Sequence, residues 1–246
     1  MTHNPVRFIK LPPKQLEQDY FRPTPGQVVA ILEGLHKPTH KMAWQLVLWM
    51  GNRRGELRGL RWSSMDWEHH AVFIRESVWE GQSSLPKTKK GYRKIMLTEE
   101  QMEVLREYKE ENFPDAQPQD WVLPGRRGRP MAMGWFMDEY VKPIAAKLGI
   151  PAIHWHAFRH LNNSIMLDEG VDVKTRMDRM GHVSDRVNMI YSHGADATQR
   201  KAAQIVWERL KSAQAQLQTE RSTASLKVAG NVADGNRMEA SNELSY

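Results

Sequence analysis

The sequence predicts an α+β fold that is mainly α-helical, with one small antiparallel sheet near its middle. Apolar residues recur at helical spacing over most of the chain, whereas β-type alternation is confined to residues 71–97. Strands do not alternate with helices throughout, so a large parallel sheet is not expected. The 246 residues are 40% hydrophobic and include nine Trp, enough for one packed domain with appendages.

Residues 1–22 are polar and marked by Pro5, Pro12 and Pro13, and read as an arm or linker. Thr24-Pro25 then opens a helix, with Thr24 as cap, Pro25 at the first helical position, and Val28, Val29, Ile31, Leu32 and Leu35 on its apolar face. A second helix is expected over 40–50, interrupted by Gly51, and a short one over 54–61. Residues 71–76 and 93–97 read as strands, and 77–86 as another strand or a loop edge. Thr98 and Gln101 have the spacing of a capping box, which starts a helix running to about residue 110. Residues 114–130 are loop-rich and carry Arg126, Arg127 and Arg129 on a glycine frame. Helices follow over 134–148, 157–169, 173–180 and 195–216, and residues 217–246 read as a disordered tail. The last of these helices gathers Ala202, Ile205, Val206 and Leu210 on one side, suited to packing on its own domain or on a neighbour.

Lys and Arg outnumber Asp and Glu by 35 to 29, a formal net charge of +6 that suits a polyanionic partner. There is no cysteine, which excludes disulfides, thiolate catalysis and cysteine-based zinc sites and fits a reducing cytoplasm. Residues 1–10 have no apolar stretch behind their charges and no run of about eighteen apolar residues occurs, so neither a secretory signal nor a membrane span is expected.

Four fragments carry reactive chemistry. His156 and Arg159 lie three apart on a helix and therefore on one face, where an arginine fork and an imidazole can grip one phosphate. Gly181 is a helix stop that presents His182 at a turn, with Tyr191 nine residues further on. Arg53 follows a glycine break at the mouth of a helix, with Glu56 placed to orient an arginine or cap backbone donors. Lys87, Lys89, Lys90 and Arg93 surround a basic hairpin tip. Taken singly, each has a plain structural reading: a solvated helix face, a core or surface tyrosine, a charged helix, a solvated turn.

Their order does not. GNRRGEL (51–57), PKTKKGYRKIML (86–97), HAFRH (156–160), MGH (180–182) and the Tyr191-Ser192-His193 end resemble, in sequence and spacing, the catalytic domain of the tyrosine site-specific recombinases, the phage integrase family. The resemblance covers about residues 23–206 and implies a helical catalytic domain, bounded here as 23–216, with a three-stranded antiparallel sheet. It implies that Arg53 and Arg159 clamp the scissile phosphate, that Lys87 is the hairpin lysine, that His156 and His182 are the two histidines, that Tyr191 is the nucleophile and that Glu56 supports the first arginine. Phe158, Ala157, Met180 and Met50 depart from the residues usual in the family, all at packing or supporting positions. The helical core-binding domain that usually precedes the catalytic domain has no counterpart in the twenty-two residues ahead of Pro23.

The implied activity is cutting and rejoining of double-stranded DNA through a 3′-phosphotyrosine link, in integration or excision of a mobile element, by a tetramer on DNA that is a monomer when free. Two arginines supply the transition-state charge, so neither metal nor other cofactor is expected. Lys89, Lys90, Arg93, Arg126, Arg127 and Arg129 are expected to contact phosphates, positioning DNA without reading it. Two other readings compete: a truncated, recombination-deficient DNA-binding remnant that keeps the fold, and a metal enzyme using His154, His156 and His160.

Overall fold

A computed structural model of the chain describes residues 21–79, 82–84, 92–151, 153–181 and 195–242. Residues 1–20, residues 85–91, with Lys87, Lys89 and Lys90, and residues 182–194, with His182, Tyr191 and His193, lie outside the described residues.

The first helix, α1 (Pro25–Gly34), starts where its cap dictates. Thr24 Oγ1 accepts from the Gln27 backbone N–H at 3.2 Å, and Gln27 Oε1 accepts from the Thr24 N–H at 2.9 Å. Its buried Val28 and Ile31 meet α2 (Pro38–Met50), whose Trp44 indole donates to the Val28 carbonyl at 2.9 Å. Gly51 ends α2 in the left-handed conformation (φ 60°), and a Cβ there would lie 2.7 Å from Met180 Cε, so both backbone and space demand glycine. The chain turns at once into the short α3 (Arg54–Arg58).

The sheet contains three antiparallel strands, β1 (Met65–Asp66), β2 (Ala71–Ile74) and β5 (Arg93–Met96), in the order β1-β2-β5, with Val72 facing Ile95. Its third strand thus comes from 65–66. The 77–86 region instead forms a separate ribbon of β3 (Ser77–Trp79) and β4 (Gln82–Ser84), which packs on α3. Helix α4 (Glu99–Asn112) begins at the Thr98/Gln101 capping box. The loop-rich stretch after it is stitched to the chain ahead of β1 by backbone bonds from Trp62 N to Asp120 O and from Val122 N to Leu60 O.

The helical run expected over 134–148 is α5 (Met133–Phe136) and α6 (Lys142–Lys147), joined by a wider π-type turn over Met137–Val141. Pro143 explains the widening: it has no N–H to donate and its ring would collide with the carbonyl four residues back. Helices α7 (Trp155–Asp168) and α8 (Val173–Met180) follow, and Gly181 closes α8 in the left-handed conformation (φ 62°).

The last helix, α9, spans Ala195–Asn242, well past residue 216 where the apolar pattern ends it and through the region whose composition reads as disordered. Its buried face ends early, with Ala202, Ala203, Val206, Leu210 and Ala213, packed on α1, α7 and α8 of the same chain. Trp207 meets Trp49 edge to face at 5.9 Å. Beyond this face, Arg221 pairs with Glu33 of α1, and the Thr219, Ser222 and Thr223 hydroxyls donate to carbonyls four residues back. Residues 221–224 are exposed, so those later turns are held by local bonds rather than by burial.

Trp44, Leu46, Met50, Leu57, Phe136, Phe158 and Ile95 are fully buried at the centre, and α7 crosses it beside α2. Arg159 therefore leaves α7 from within the packed layer, while His156, one turn earlier, is exposed. Among the described residues, no helix is long and apolar enough to cross a membrane.

Candidate active site

The site is built around the C-terminal turn of α8. The last carbonyls of a helix have no partner within it and carry the negative end of its dipole, so they attract cationic donors. Here three consecutive carbonyls each accept from a different arginine. Arg179 O accepts from Arg93 Nε at 3.0 Å, Met180 O from Arg159 Nη2, and Gly181 O from Arg53 Nη2 at 3.0 Å. The three arginines arrive from β5, α7 and the N-cap of α3, elements far apart in sequence. Arg159 Nη1 also donates to Gly51 O at 3.1 Å, which fixes α7 to the glycine turn that delivers Arg53.

One carboxylate organises the cluster. Glu56 Oε2 accepts from the Arg53 backbone N–H at 2.8 Å, and Oε1 from Arg53 Nη1 at 2.9 Å. The same two oxygens take a fork from Arg93, at 3.0 Å (Nη1) and 2.8 Å (Nη2). Burial pushes the Glu56 carboxyl up, but the hydrogen bonds and charge of Arg93, followed by those of Arg53, outweigh it and bring it down to about 2. Glu56 is therefore a fixed anion at neutral pH.

The electrostatic surplus is positive. Burial first, then the charges of Arg53 and Arg93, depress Arg159 to about 10, with Glu56 pulling the other way; it stays protonated at neutral pH. The His156 imidazole is lowered by burial and by Arg159, His160, Arg53 and Arg54, which favours its neutral, proton-accepting form. Arg53 keeps about half of its side chain exposed, with 47% accessible, so an anion can reach it.

The expected residues that are described thus separate into two groups. Arg53, Glu56 and Arg159 converge on the turn at Met180-Gly181, and His156 lies near enough to be influenced by the Arg159 and Arg53 charges. Lys87, Lys89, Lys90, His182 and Tyr191 lie outside the described residues. Arg126, Arg127 and Arg129 are all exposed on a tight loop, closed by a Pro124–Pro130 bridge and a Gly125 N to Arg129 O bond of 2.7 Å.

Arg93 requires a correction. It was expected on the DNA-contacting surface, but its side chain is 7% exposed and all three guanidinium nitrogens are bonded inside the protein. The signal was present in the sequence: in a strand, Arg93 shares its face with Ile95 and Leu97, both core residues.

Sequence reasoning missed Arg179, which is fully buried and donates to Met96 O at 2.8 Å and Trp49 O at 2.9 Å. It ties the α8 terminus to β5 and α2. Burial followed by the charge of Arg93 lowers it to about 10. The only hint was its helical spacing from Thr175, also buried, and its place beside Met180. His154, His156 and His160 assemble no metal site: among the described residues, no three His, Cys, Asp or Glu side chains are placed to hold an ion.

The sequence profile of the Phage integrase family matches residues 23–198. The chain is 21% identical over 206 residues to a "Tyrosine recombinase XerC-like" protein of Caldanaerobacter subterraneus subsp. tengcongensis, covering 74% of this chain and 52% of that one. It is 23% identical over 205 residues to the ICEBs1 integrase of Bacillus subtilis, covering 78% and 55% respectively. The chain thus spans about half the length of these curated relatives. Among solved structures, the Tn1549 transposon integrase in complex with a circular intermediate DNA shares the fold at a TM-score of 0.60 and 21% identity, over 75% of this chain and 67% of that one. The XerA recombinase does so at 0.54 and 19%, over 86% and 66%. With the matched profile covering most of the sequence, the chain belongs to the phage integrase family, the tyrosine recombinases.

Proposed function

We propose that this chain is the catalytic part of a site-specific recombinase that cuts and rejoins double-stranded DNA during integration or excision of a mobile element. The observation that carries the reading is the convergence of Arg53 and Arg159 on the turn that ends at Gly181, an electropositive cluster with one internal carboxylate whose charge is felt by His156. Tn1549 integrase, a structural neighbour, was solved in complex with DNA, which supports the same class of partner here.

In this mechanism the scissile phosphate accepts from Arg53 and Arg159, whose fixed charges stabilise the five-coordinate phosphorus. The Tyr191 phenol attacks phosphorus as its proton passes toward the neutral His156. The bond to the 5′-oxygen breaks, and Lys87 gives its proton to that leaving oxygen, which becomes a free 5′-hydroxyl. His182 donates to a nonbridging oxygen. The 3′-phosphotyrosine link conserves the bond, so a 5′-hydroxyl can rejoin it without a nucleotide cofactor, and the arginines take the place a metal would otherwise fill. A tetramer on DNA, working in the cytoplasm, completes the reading.

The test is covalent capture. A pool of nicked duplexes with a randomised core, in which the released fragment diffuses away, is expected to yield a protein–DNA adduct that survives denaturation. Peptide mapping should place it on Tyr191, with chelators present throughout. Binding without any adduct would identify a chain that keeps the fold but not the chemistry, and an adduct abolished by chelators would point to a metal enzyme.

DNA binding itself should be steeply salt-dependent. Each phosphate contact contributes a slope of about −0.9 in log affinity against log salt. Replacing Arg126, Arg127 and Arg129 together by Gln is expected to flatten that slope by about two to three units if the exposed loop meets the backbone. Titrations at a series of salt concentrations measure it, and an unchanged slope removes the loop from the interface.

A further inference from the structure

We infer that Arg93 is a positioning residue for strand cleavage: it locks Glu56 and the α8 terminus together, and so sets where Arg53 and Arg159 stand. The inference rests on the recombinase reading above and concerns a residue that touches no phosphate.

Four observations combine. Arg93 binds both Glu56 oxygens in a fork, at 3.0 and 2.8 Å, and these same oxygens hold the Arg53 backbone and guanidinium. Its Nε holds the Arg179 carbonyl, the first of the three that accept the arginines. Its guanidinium lies flat against Gly181, where an added Cβ would come within 2.8 Å of Nη1 and 2.9 Å of Cζ. Finally, Arg179 sends its own side chain back to Met96 O, the far end of the strand that Arg93 begins, so strand and helix terminus grip each other twice.

The consequence is mechanical. Arg53 contacts the turn at Gly181 and Arg159 contacts it at Met180, so a small rotation of the turn displaces both. Arg93 joins the turn to the Glu56 platform from the buried side, while Arg53 spans the same two groups from the half-exposed side. Arg93 is also the first residue of β5, so the same side chain ties that strand to the α8 terminus. A lysine at 93 keeps the charge but supplies one ammonium in place of a planar fork, and cannot hold two carboxylate oxygens and a carbonyl at fixed angles.

The experiment compares the wild-type chain with Arg93→Lys, Glu56→Gln and the double variant on the nicked-duplex pool. The single-turnover rate of adduct formation is counted per DNA-bound molecule, so that unfolded protein does not enter, and affinity for the duplex is measured alongside. Arg93→Lys is expected to slow adduct formation about ten- to hundred-fold, the cost of misplacing reacting groups by a fraction of an ångström to an ångström. Affinity should stay within about two-fold, because Arg93 meets no phosphate. The double variant should be no slower than the slower single one, because both changes break the same link. Wild-type rate in Arg93→Lys, an affinity loss that accounts for the slower rate, or a double loss equal to the product of the single losses would overturn the inference and leave the recombinase reading standing. A wild-type chain that binds the duplexes but forms no adduct would overturn both.

Discussion

Replacing Arg159 by Lys is expected to slow strand cleavage by about a hundred- to thousand-fold, the equivalent of roughly 2.7–4 kcal/mol of transition-state stabilisation. Arg159 is 7% exposed and reaches Gly51 O and Met180 O from the packed face of α7. An ammonium on a shorter, non-planar group cannot hold two carbonyls and still present a donor to a phosphate oxygen. A long-range charge contributes to binding from almost anywhere on the surface, whereas an oriented donor acts only in the transition state. Duplex affinity should therefore change much less than rate. Single-turnover adduct formation beside a binding titration measures both; equal losses in rate and affinity would show that Arg159 holds DNA and does not act on the reacting phosphate.

The second large effect concerns stability. Glu56→Leu is expected to destabilise the fold by about 3–5 kcal/mol, because it strips the partner from a buried guanidinium. Arg93 would keep the Arg179 carbonyl but lose both carboxylate bonds, at a position where its side chain is 7% exposed. The same carboxylate makes stability fall in acid. Its folded value of about 2 lies below the ordinary glutamate value of 4.5, so the unfolded chain binds the proton more tightly. The contribution, on the order of 3 kcal/mol, is fully present above about pH 4.5 and is lost as pH falls toward 2. Denaturant midpoints measured across that window should decline in the wild type, and by less in Glu56→Gln, which has no proton to take up there. Identical pH slopes would show that Glu56 does not carry this charge in the folded protein.

Local rules made much of the fold legible. Thr24 with Gln27 and Thr98 with Gln101 announce two helices through bonds that span three residues, and both boxes form. Gly51 and Gly181 mark helix ends because the left-handed turn there admits little else. The five-residue turn before Pro143 was not read, although proline's missing donor announces it. Residues 65–66 are too few to show any period, so the third strand went unseen, and the 77–84 ribbon was left unresolved between strand and loop edge. The length of α9 escaped for the opposite reason: its late turns are exposed and have no apolar period to read.

In the site the division is sharper. By itself the sequence determined which chemical groups the chain carries and in what order, and hence the family, because residue type and spacing survive without coordinates. It also determined the helix on which His156 and Arg159 share a face. Only the tertiary structure decided which arginine meets which oxygen: Arg93 reaches Glu56 across 37 positions and Arg53 reaches Gly181 across 128. Guanidiniums are alike in a sequence, and a buried one goes to whichever carboxylate or helix-end carbonyl the packing brings within 3 Å. That choice turned Arg93 from an expected DNA contact into part of the frame and left Arg53 and Arg159 at the surface of one turn.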